Sequence, residues 1–180
     1  MASWTTPSEP FSSSSSSSSS FRSNYVYDVF LSFRGKDTRD GFTDHLYYAL
    51  HQVGIYTFRD EEKLERGRSI SSGLLQAIEG SKISVIVFSW DYASSAWCLD
   101  ELVKIMECRR MKRQFVLPIF YHVEPTDVRH QRANFAQALH VLEECFAFHR
   151  DKVVQWRRAL TEAASLSGWH LVDAHFFTEP

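Results

Sequence analysis

From residue 25 onward, the sequence alternates between short apolar runs and longer amphipathic stretches. The apolar runs predict β-strands at 25–33, 55–60, 82–89, 115–123 and 168–173. The amphipathic stretches predict helices at 41–54, 69–80, 98–110, 132–147 and 152–166. The run KISVIVFS at 82–89 is apolar on both faces, which is typical of a parallel strand in the middle of a covered sheet. Strands that alternate with helices therefore indicate a parallel sheet with helices on both sides.

Right-handed crossovers make such a sheet doubly wound. We predict an α/β fold of the flavodoxin-like type, a doubly wound parallel sheet of about five strands in the order 2-1-3-4-5. Ligands bind to this fold beyond the carboxyl ends of the strands, where the strand order reverses between strands 1 and 3. The segments that we expect to form a site are the loops 34–40 and 90–98, with the loop 61–69 folding over them.

The first 24 residues differ in composition from the rest and contain nine consecutive serines at 12–20. Such a segment has too little apolar surface to offset its chain entropy, so we predict a disordered Ser-rich tail. The folded domain is predicted at 25–173, followed by a short tail at 174–180. The serine-rich segment lacks the apolar core of a secretory signal, but it is poor in acids, as plastid transit peptides are.

The charge balance gives no sign of a binding surface for polyanions. The formal net charge is −2 at pH 7, and the isoelectric point is about 6.4. A nucleic acid partner stays open but is not indicated. No apolar run approaches the roughly 20 residues of a membrane span, so no membrane partner is predicted.

The three cysteines have none of the spacings of a zinc site, so no metal is predicted. They are Cys98, Cys108 and Cys145, and their odd number is typical of reduced thiols. We predict a cytoplasmic protein, with the nucleus also compatible and the plastid as an alternative location.

The loop after the first predicted strand is rich in cations. Arg34, Lys36 and Arg39 lie within six residues of one another, and Gly35 permits a close approach of the backbone. Three cations beside a helix N-terminus are suited to phosphate groups. The sequence therefore predicts an anion-binding loop beyond strand 1.

The third loop places Trp97 and Glu101 one helical turn apart, on the same helix face. Trp97 offers a stacking surface for a flat ring. Glu101 lies away from the predicted core stripe of the helix, which consists of Leu99, Leu102, Val103 and Met106. A solvated surface glutamate is the ordinary interpretation, while its apolar neighbours and its place at the predicted crevice favour a functional carboxylate. The residue pattern alone leaves both interpretations open.

Three other nucleotide or phosphate sites do not match. No Gly-x-Gly-x-x-Gly follows the first strand, and GKDT lacks the upstream glycine of a P-loop. A phosphoacceptor site of the receiver type needs acids after strand 1, whereas the loop 34–40 is mainly basic.

Five phrases of the sequence resemble plant TIR (Toll/interleukin receptor) domains. They run in order from Tyr27 to Leu171 and read YDVFLSFRGKDTR, TFRDEEKLERGRSIS, LLQAIEGSKISVIVFSWDYASSAWCLDELVKI, VLPIFYHVEPTDVR and WRRALTEAASLSGWHL. This family occurs in intracellular immune receptors and in short TIR-only proteins. Its flavodoxin-like fold agrees with the fold predicted from the pattern.

The resemblance implies an enzyme of plant innate immune signalling. Plant TIR domains cleave NAD+ or NADP+ at the nicotinamide–ribose bond when they self-associate, and some assemblies also act on nucleic acids. The resemblance implies Glu101 as the catalytic residue, NAD+ as substrate rather than cofactor, and other TIR domains as partners. The implied substrate-binding residues are Arg34, Gly35, Lys36, Asp37, Thr38, Arg39, Asp40, Gly41, Ser69 and Trp97.

Two features depart from the family pattern. The interface on the first helix usually carries a Ser-His pair, whereas this chain has Asp44 and His45, which predicts added repulsion across a two-fold contact. Family members continue with a last helix after the GWHL strand, and here only 172–180 follow, which predicts a fold without that helix. Both departures favour the alternative function, a non-enzymatic adaptor or decoy that binds other TIR proteins.

Overall fold

The computed structural model describes residues 25–59 and 72–172. Within them, five strands form one sheet in the order β2-β1-β3-β4-β5, and all neighbouring pairs are parallel. The strands are β1 (Tyr27–Phe33), β2 (Thr57–Arg59), β3 (Ser81–Phe88), β4 (Phe115–Tyr121) and β5 (Trp169–Leu171). The predicted strand order is confirmed, and the reversal lies between β1 and β3. The predicted tails at 1–24 and 174–180, and the question of a last helix, lie outside the described residues.

Within the described residues, five helices follow the predicted alternation with changed bounds, and two short helices, at Gly35–Thr38 and Pro125–His130, were not predicted. They are α1 (Gly35–Thr38), α2 (Asp44–Gln52), α3 (Ser72–Glu79), α4 (Ala96–Lys112), α5 (Pro125–His130), α6 (Ala133–Cys145) and α7 (Arg150–Ala163). A π-type turn at Arg39–Thr43 and a 3₁₀ turn at Tyr92–Ser94 complete the helical segments of the described chain. Among the helices in 25–59 and 72–172, none combines the length and the apolar character that crossing a membrane requires.

The helix predicted at 41–54 is shorter than expected. The backbone leaves helical geometry at Asp40 and Gly41, and α2 begins only at Asp44. It ends at Gln52, which leaves Val53 in the following turn with 72% of its surface exposed. The apolar spacing of 41–54 predicts one shared helix face of Phe42, Leu46, Ala49, Leu50 and Val53. Ala49 and Val53 are exposed, so the prediction was wrong for these two residues. Leu46, Tyr47 and Leu50 carry the packing of α2 itself onto the sheet.

The two faces of the sheet carry separate apolar clusters because side chains alternate along each strand. On β1, Val29 and Leu31 belong to the cluster beneath α2, whereas Phe30 belongs to the larger cluster beneath α3, α4 and α7. Ser32 follows Phe30 by two residues and is fully buried. This alternation points the Ser32 hydroxyl towards α4, the helix that carries Glu101.

Gly168, immediately before β5, brings the chain close to β4. A Cβ atom at this position would lie 2.2 Å from the Pro118 carbonyl oxygen, a backbone atom that cannot move aside without shifting β4. We therefore expect Gly168→Ala to lower the free energy of unfolding by about 1–3 kcal/mol, measured by urea denaturation. Gly73→Ala is the control, because nothing lies within 4 Å of its Cβ position. Equal stability of the Gly168→Ala variant and the wild type would contradict this close approach.

Candidate functional site

The N-terminus of α4 lies at the predicted crevice. Ser95 has extended backbone geometry, and its hydroxyl accepts a hydrogen bond from the Cys98 N–H at 3.3 Å, which caps the helix. The cap fixes where the first turn begins and therefore where Trp97 and Glu101 point. Their helix begins two residues earlier than the sequence predicted, at Ala96.

Glu101 is buried, with only 4% of its surface exposed. The Ser32 hydroxyl on β1 donates a hydrogen bond of 2.8 Å to Glu101 Oε2. Burying a carboxylate is unfavourable unless it is hydrogen-bonded, so a side chain with no role beyond solubility would lie outside. Of the two interpretations that the sequence left open, the solvated surface glutamate is wrong.

Tyr92 extends this cluster from the 3₁₀ turn after β3. Its hydroxyl lies 3.0 Å from the Ser32 hydroxyl and donates to the Cys98 carbonyl oxygen at 3.1 Å. Ser32 and Tyr92 are both fully buried. Sequence reasoning identified neither residue. The signal that was available is a serine at an inward-facing position of an apolar strand.

The groups beside Glu101 are held in their neutral forms. Burial raises the pKa of the Cys98 thiol to about 12, and the negative charge of Glu101 acts in the same direction. Burial, followed by the charges of Cys98 and Glu101, raises the pKa of Tyr92 well above its usual range. A thiol that stays protonated is a poor nucleophile, which argues against cysteine-based chemistry in this cluster.

Two of the predicted substrate-binding residues have buried donors that lack a partner. Neither Arg34 Nε nor Trp97 Nε1 has a hydrogen-bond partner within the described residues. Arg34 follows Ser32 by two residues, and its positive charge opposes the rise of the Cys98 pKa, which places it near the cluster. Buried donors are rarely left unpaired, and acceptors of a bound ligand can satisfy them.

Asp37 and Thr38 support the first loop from inside. Asp37 Oδ2 accepts hydrogen bonds from the Ser89 hydroxyl at 2.6 Å and from the Asp91 N–H at 2.9 Å. The buried Thr38 hydroxyl accepts from Thr43 at 2.7 Å. The Asp37 contacts tie the loop to the end of β3, and the Thr38 contact ties it to the turn before α2.

The remaining residues of the first loop have different environments. Arg39 lies 5.1 Å from the centre of the Phe33 ring and packs against Gly35, where a Cβ atom would lie 3.1 Å from its guanidinium. Lys36 and Asp40 are exposed, while Gly41 is half-buried at the kink before α2. Ser69 lies outside the described residues. Of the three predicted cations, Arg34 therefore has the environment best suited to a ligand.

The predicted interaction surface on α2 is engaged in part by contacts within the chain. Asp44 forms an ion pair with Arg59 on β2, and Arg59 lies 4.3 Å from the centre of the Tyr47 ring. His45 is exposed. The charge of Asp44 is thus compensated within the chain, which weakens the predicted repulsion between two copies.

Comparison with known proteins identifies one family. The family model of the TIR domain matches residues 26–175. The disease resistance protein RPV1 of Vitis rotundifolia is 58% identical over 164 residues, which cover 91% of this chain and 11% of RPV1. The TMV resistance protein N of Nicotiana glutinosa is 51% identical over 151 residues, which cover 84% of this chain and 13% of that protein. The chain thus spans about an eighth of the length of these relatives.

Among solved structures, the TIR domains of the activated Roq1 resistosome are similar to this chain. The TM-score is 0.76 at 50% sequence identity, and the match covers 82% of this chain and 89% of the Roq1 chain. That structure is of a resistosome that directly recognises the pathogen effector XopQ.

Proposed function

The chain belongs to the TIR domain family, and from that premise we propose that it is an NAD+ nucleosidase that cleaves the nicotinamide–ribose bond of NAD+ or NADP+. The observation that carries the proposal is the placement of Glu101. It is a buried carboxylate at the carboxyl ends of β1 and β3, held by a hydrogen bond from Ser32. This is the crevice in which doubly wound folds bind their ligands.

One carboxylate is sufficient for this reaction. Ordinary glycosidases need a second carboxylic acid, because the leaving oxygen must be protonated. Nicotinamide in NAD+ is already a cation, so it departs as a neutral molecule without receiving a proton. As the bond breaks, its electron pair leaves with nicotinamide, and a preorganised carboxylate stabilises the positive charge that develops on the ribose. Water then adds to the ribose carbon and releases a proton.

Three side chains have distinct proposed roles. Glu101 faces the ribose and stabilises the oxocarbenium-like transition state. Arg34 Nε supplies a hydrogen bond and a positive charge to the diphosphate, and Trp97 Nε1 supplies a donor to the ribose. Both donors are buried and have no partner in the described residues, which is the arrangement that a polar ligand would complete.

The relatives support a role in plant innate immune signalling, because RPV1 and protein N are resistance proteins. The likeness to TIR domains in a resistosome supports activation by association with other TIR domains. The α2 surface around the exposed His45 is the proposed contact. This likeness also favours a second candidate function, an adaptor that associates with TIR proteins without chemistry of its own.

One experiment separates the two functions. The purified chain is incubated with NAD+ or NADP+ at increasing protein concentration, nicotinamide release is followed by chromatography, and the mass of the assemblies is measured by light scattering. We expect nicotinamide release per protein molecule to rise as the assemblies form. Assembly without any nicotinamide release at any concentration would contradict the enzyme and support the adaptor.

A further inference from the structure

Four oxygen atoms form a row beneath the first turn of α4. Glu101 Oε2 lies 2.8 Å from Ser32 Oγ, Ser32 Oγ lies 3.0 Å from the Tyr92 hydroxyl, and that hydroxyl lies 3.1 Å from the Cys98 carbonyl oxygen. All four residues are buried. Each of the three contacts is short enough for a hydrogen bond, and each requires one hydrogen atom.

The number of hydrogen atoms depends on the charge of Glu101. Ser32 and Tyr92 contribute one hydroxyl hydrogen each, and the Cys98 carbonyl contributes none. With an ionised Glu101, two hydrogens serve three contacts, and Ser32 must donate to the carboxylate. With a protonated Glu101, a third hydrogen is present, and Glu101 can donate to Ser32, Ser32 to Tyr92 and Tyr92 to Cys98.

We propose that Ser32 and Tyr92 are positioning residues that form a reversible hydrogen-bond relay with Glu101. Ser32 holds the ionised carboxylate in place by donating to it. When Glu101 carries a proton, the Tyr92 hydroxyl accepts a hydrogen bond from the Ser32 hydroxyl. The catalytic consequence rests on the proposed NAD+ cleavage, whereas the relay itself is a property of the folded chain.

The other charged and titratable groups near the row do not account for opposite effects of the Ser32 and Tyr92 hydroxyls. Among the described residues, Arg34 and Asp37 from the first loop act on Cys98, and the charges of Cys98 and Glu101 act on Tyr92. Burial raises the pKa of Cys98 and the pKa of Tyr92, so both stay neutral in the acidic and neutral range. Arg34 and Asp37 are present in each variant that lacks a single hydroxyl, so their charges have the same effect on all of these variants.

Two variants that each remove one hydroxyl test the relay, and they have opposite expected effects. Ser32→Ala removes a hydrogen-bond donor to the ionised carboxylate, and losing a hydrogen bond is more unfavourable for a buried charge than for a neutral carboxyl. We expect the acid limb of the pH dependence of kcat to move up by about 0.5–1 pH unit. At neutral pH, kcat should fall by roughly 10-fold with little change in KM.

Tyr92→Phe removes the acceptor that the protonated arrangement needs, while Ser32 can still donate to an ionised Glu101. We expect the acid limb to move down by about 0.5–1 pH unit. The matched control is Ser84→Ala. Ser84 is a fully buried serine on β3, directly opposite Phe30 of β1, and its hydroxyl has no partner within the described residues. This control should leave the pH profile unchanged.

A second measurement does not depend on activity. The free energy of unfolding of each variant is measured by urea denaturation between about pH 4 and pH 8 and compared with the wild type. The loss of stability in Ser32→Ala should grow as the pH rises and Glu101 ionises. The loss in Tyr92→Phe should grow as the pH falls and Glu101 becomes protonated. The effect of Ser84→Ala should be small and independent of pH.

The outcomes separate this inference from the proposed function. Opposite shifts of the two variants in both measurements support the relay. Shifts in the same direction, no shift, or an equal effect of Ser84→Ala would overturn it. A wild-type chain that releases no nicotinamide would contradict the proposed function, and the unfolding measurements would still decide whether the relay exists.

Discussion

Replacing Glu101 with glutamine is expected to lower the rate of NAD+ cleavage by about 10²–10³-fold while the fold stays intact. Glutamine keeps the size of the side chain and can accept the hydrogen bond from Ser32. It removes the negative charge, and that charge is what stabilises the positive charge that develops on the ribose. Alanine would instead leave a cavity and remove the acceptor of the Ser32 hydrogen bond, so glutamine isolates the effect of the charge more cleanly.

The measurement is nicotinamide release at equal protein concentration, with circular dichroism and thermal unfolding as tests of the fold. Glu107→Gln is the matched control, because Glu107 is an exposed glutamate six residues further along α4. We expect wild-type turnover from this control. Full activity in a folded Glu101→Gln variant would rule out the assignment of Glu101 as the catalytic residue.

Replacing Trp156 with alanine is expected to lower the free energy of unfolding by about 3–5 kcal/mol. Trp156 is fully buried on α7, and its indole N–H donates to Asp100 Oδ1 at 2.8 Å. The same carboxylate pairs with Lys152 at 2.7 Å, and Phe146 packs edge-on against the indole ring. The substitution therefore opens a cavity and removes the donor that holds Asp100, the residue before Glu101.

Urea denaturation of the folded chain measures this loss. Trp90→Ala is the matched control, because 63% of Trp90 is exposed, and we expect a change within about 0.5 kcal/mol. Trp156→Phe keeps most of the apolar surface and loses the N–H donor, so its effect should be intermediate. If Trp156→Ala were no more destabilising than Trp90→Ala, the packing of α7 against α4 would not have the stabilising role assigned to it.

The sheet could be predicted from the sequence because its signal is local. The strand predicted at 82–89 is apolar on both faces, so both faces must be buried, as they are in the middle of a parallel sheet covered by helices. The bounds of the helices were less predictable. The kink at Asp40 and Gly41 splits the first predicted helix, and the apolar spacing of 41–54 carries no sign of that break.

The site was predictable only in part, because only some of its contacts join residues that are close in the sequence. Trp97 and Glu101 lie four residues apart on one helix, so their shared face follows from helical geometry. Ser32 lies 69 residues before its partner Glu101 in the sequence. Tyr92 lies 60 residues after its partner Ser32. A serine at an inward-facing position of an apolar strand signals a buried hydroxyl but not its partner, so its pairing with Glu101 could not be inferred.

The strand order, its reversal between β1 and β3, and a short set of candidate residues could be predicted from the sequence, because each depends on spacing along the chain. The tertiary structure alone decided that Glu101 is buried and hydrogen-bonded rather than solvated. It also decided that Asp44 pairs with Arg59, and that Asp37 holds the loop to the end of β3. Burial and pairing depend on which distant side chains meet when the sheet forms, and that information is not present in any one stretch of the sequence.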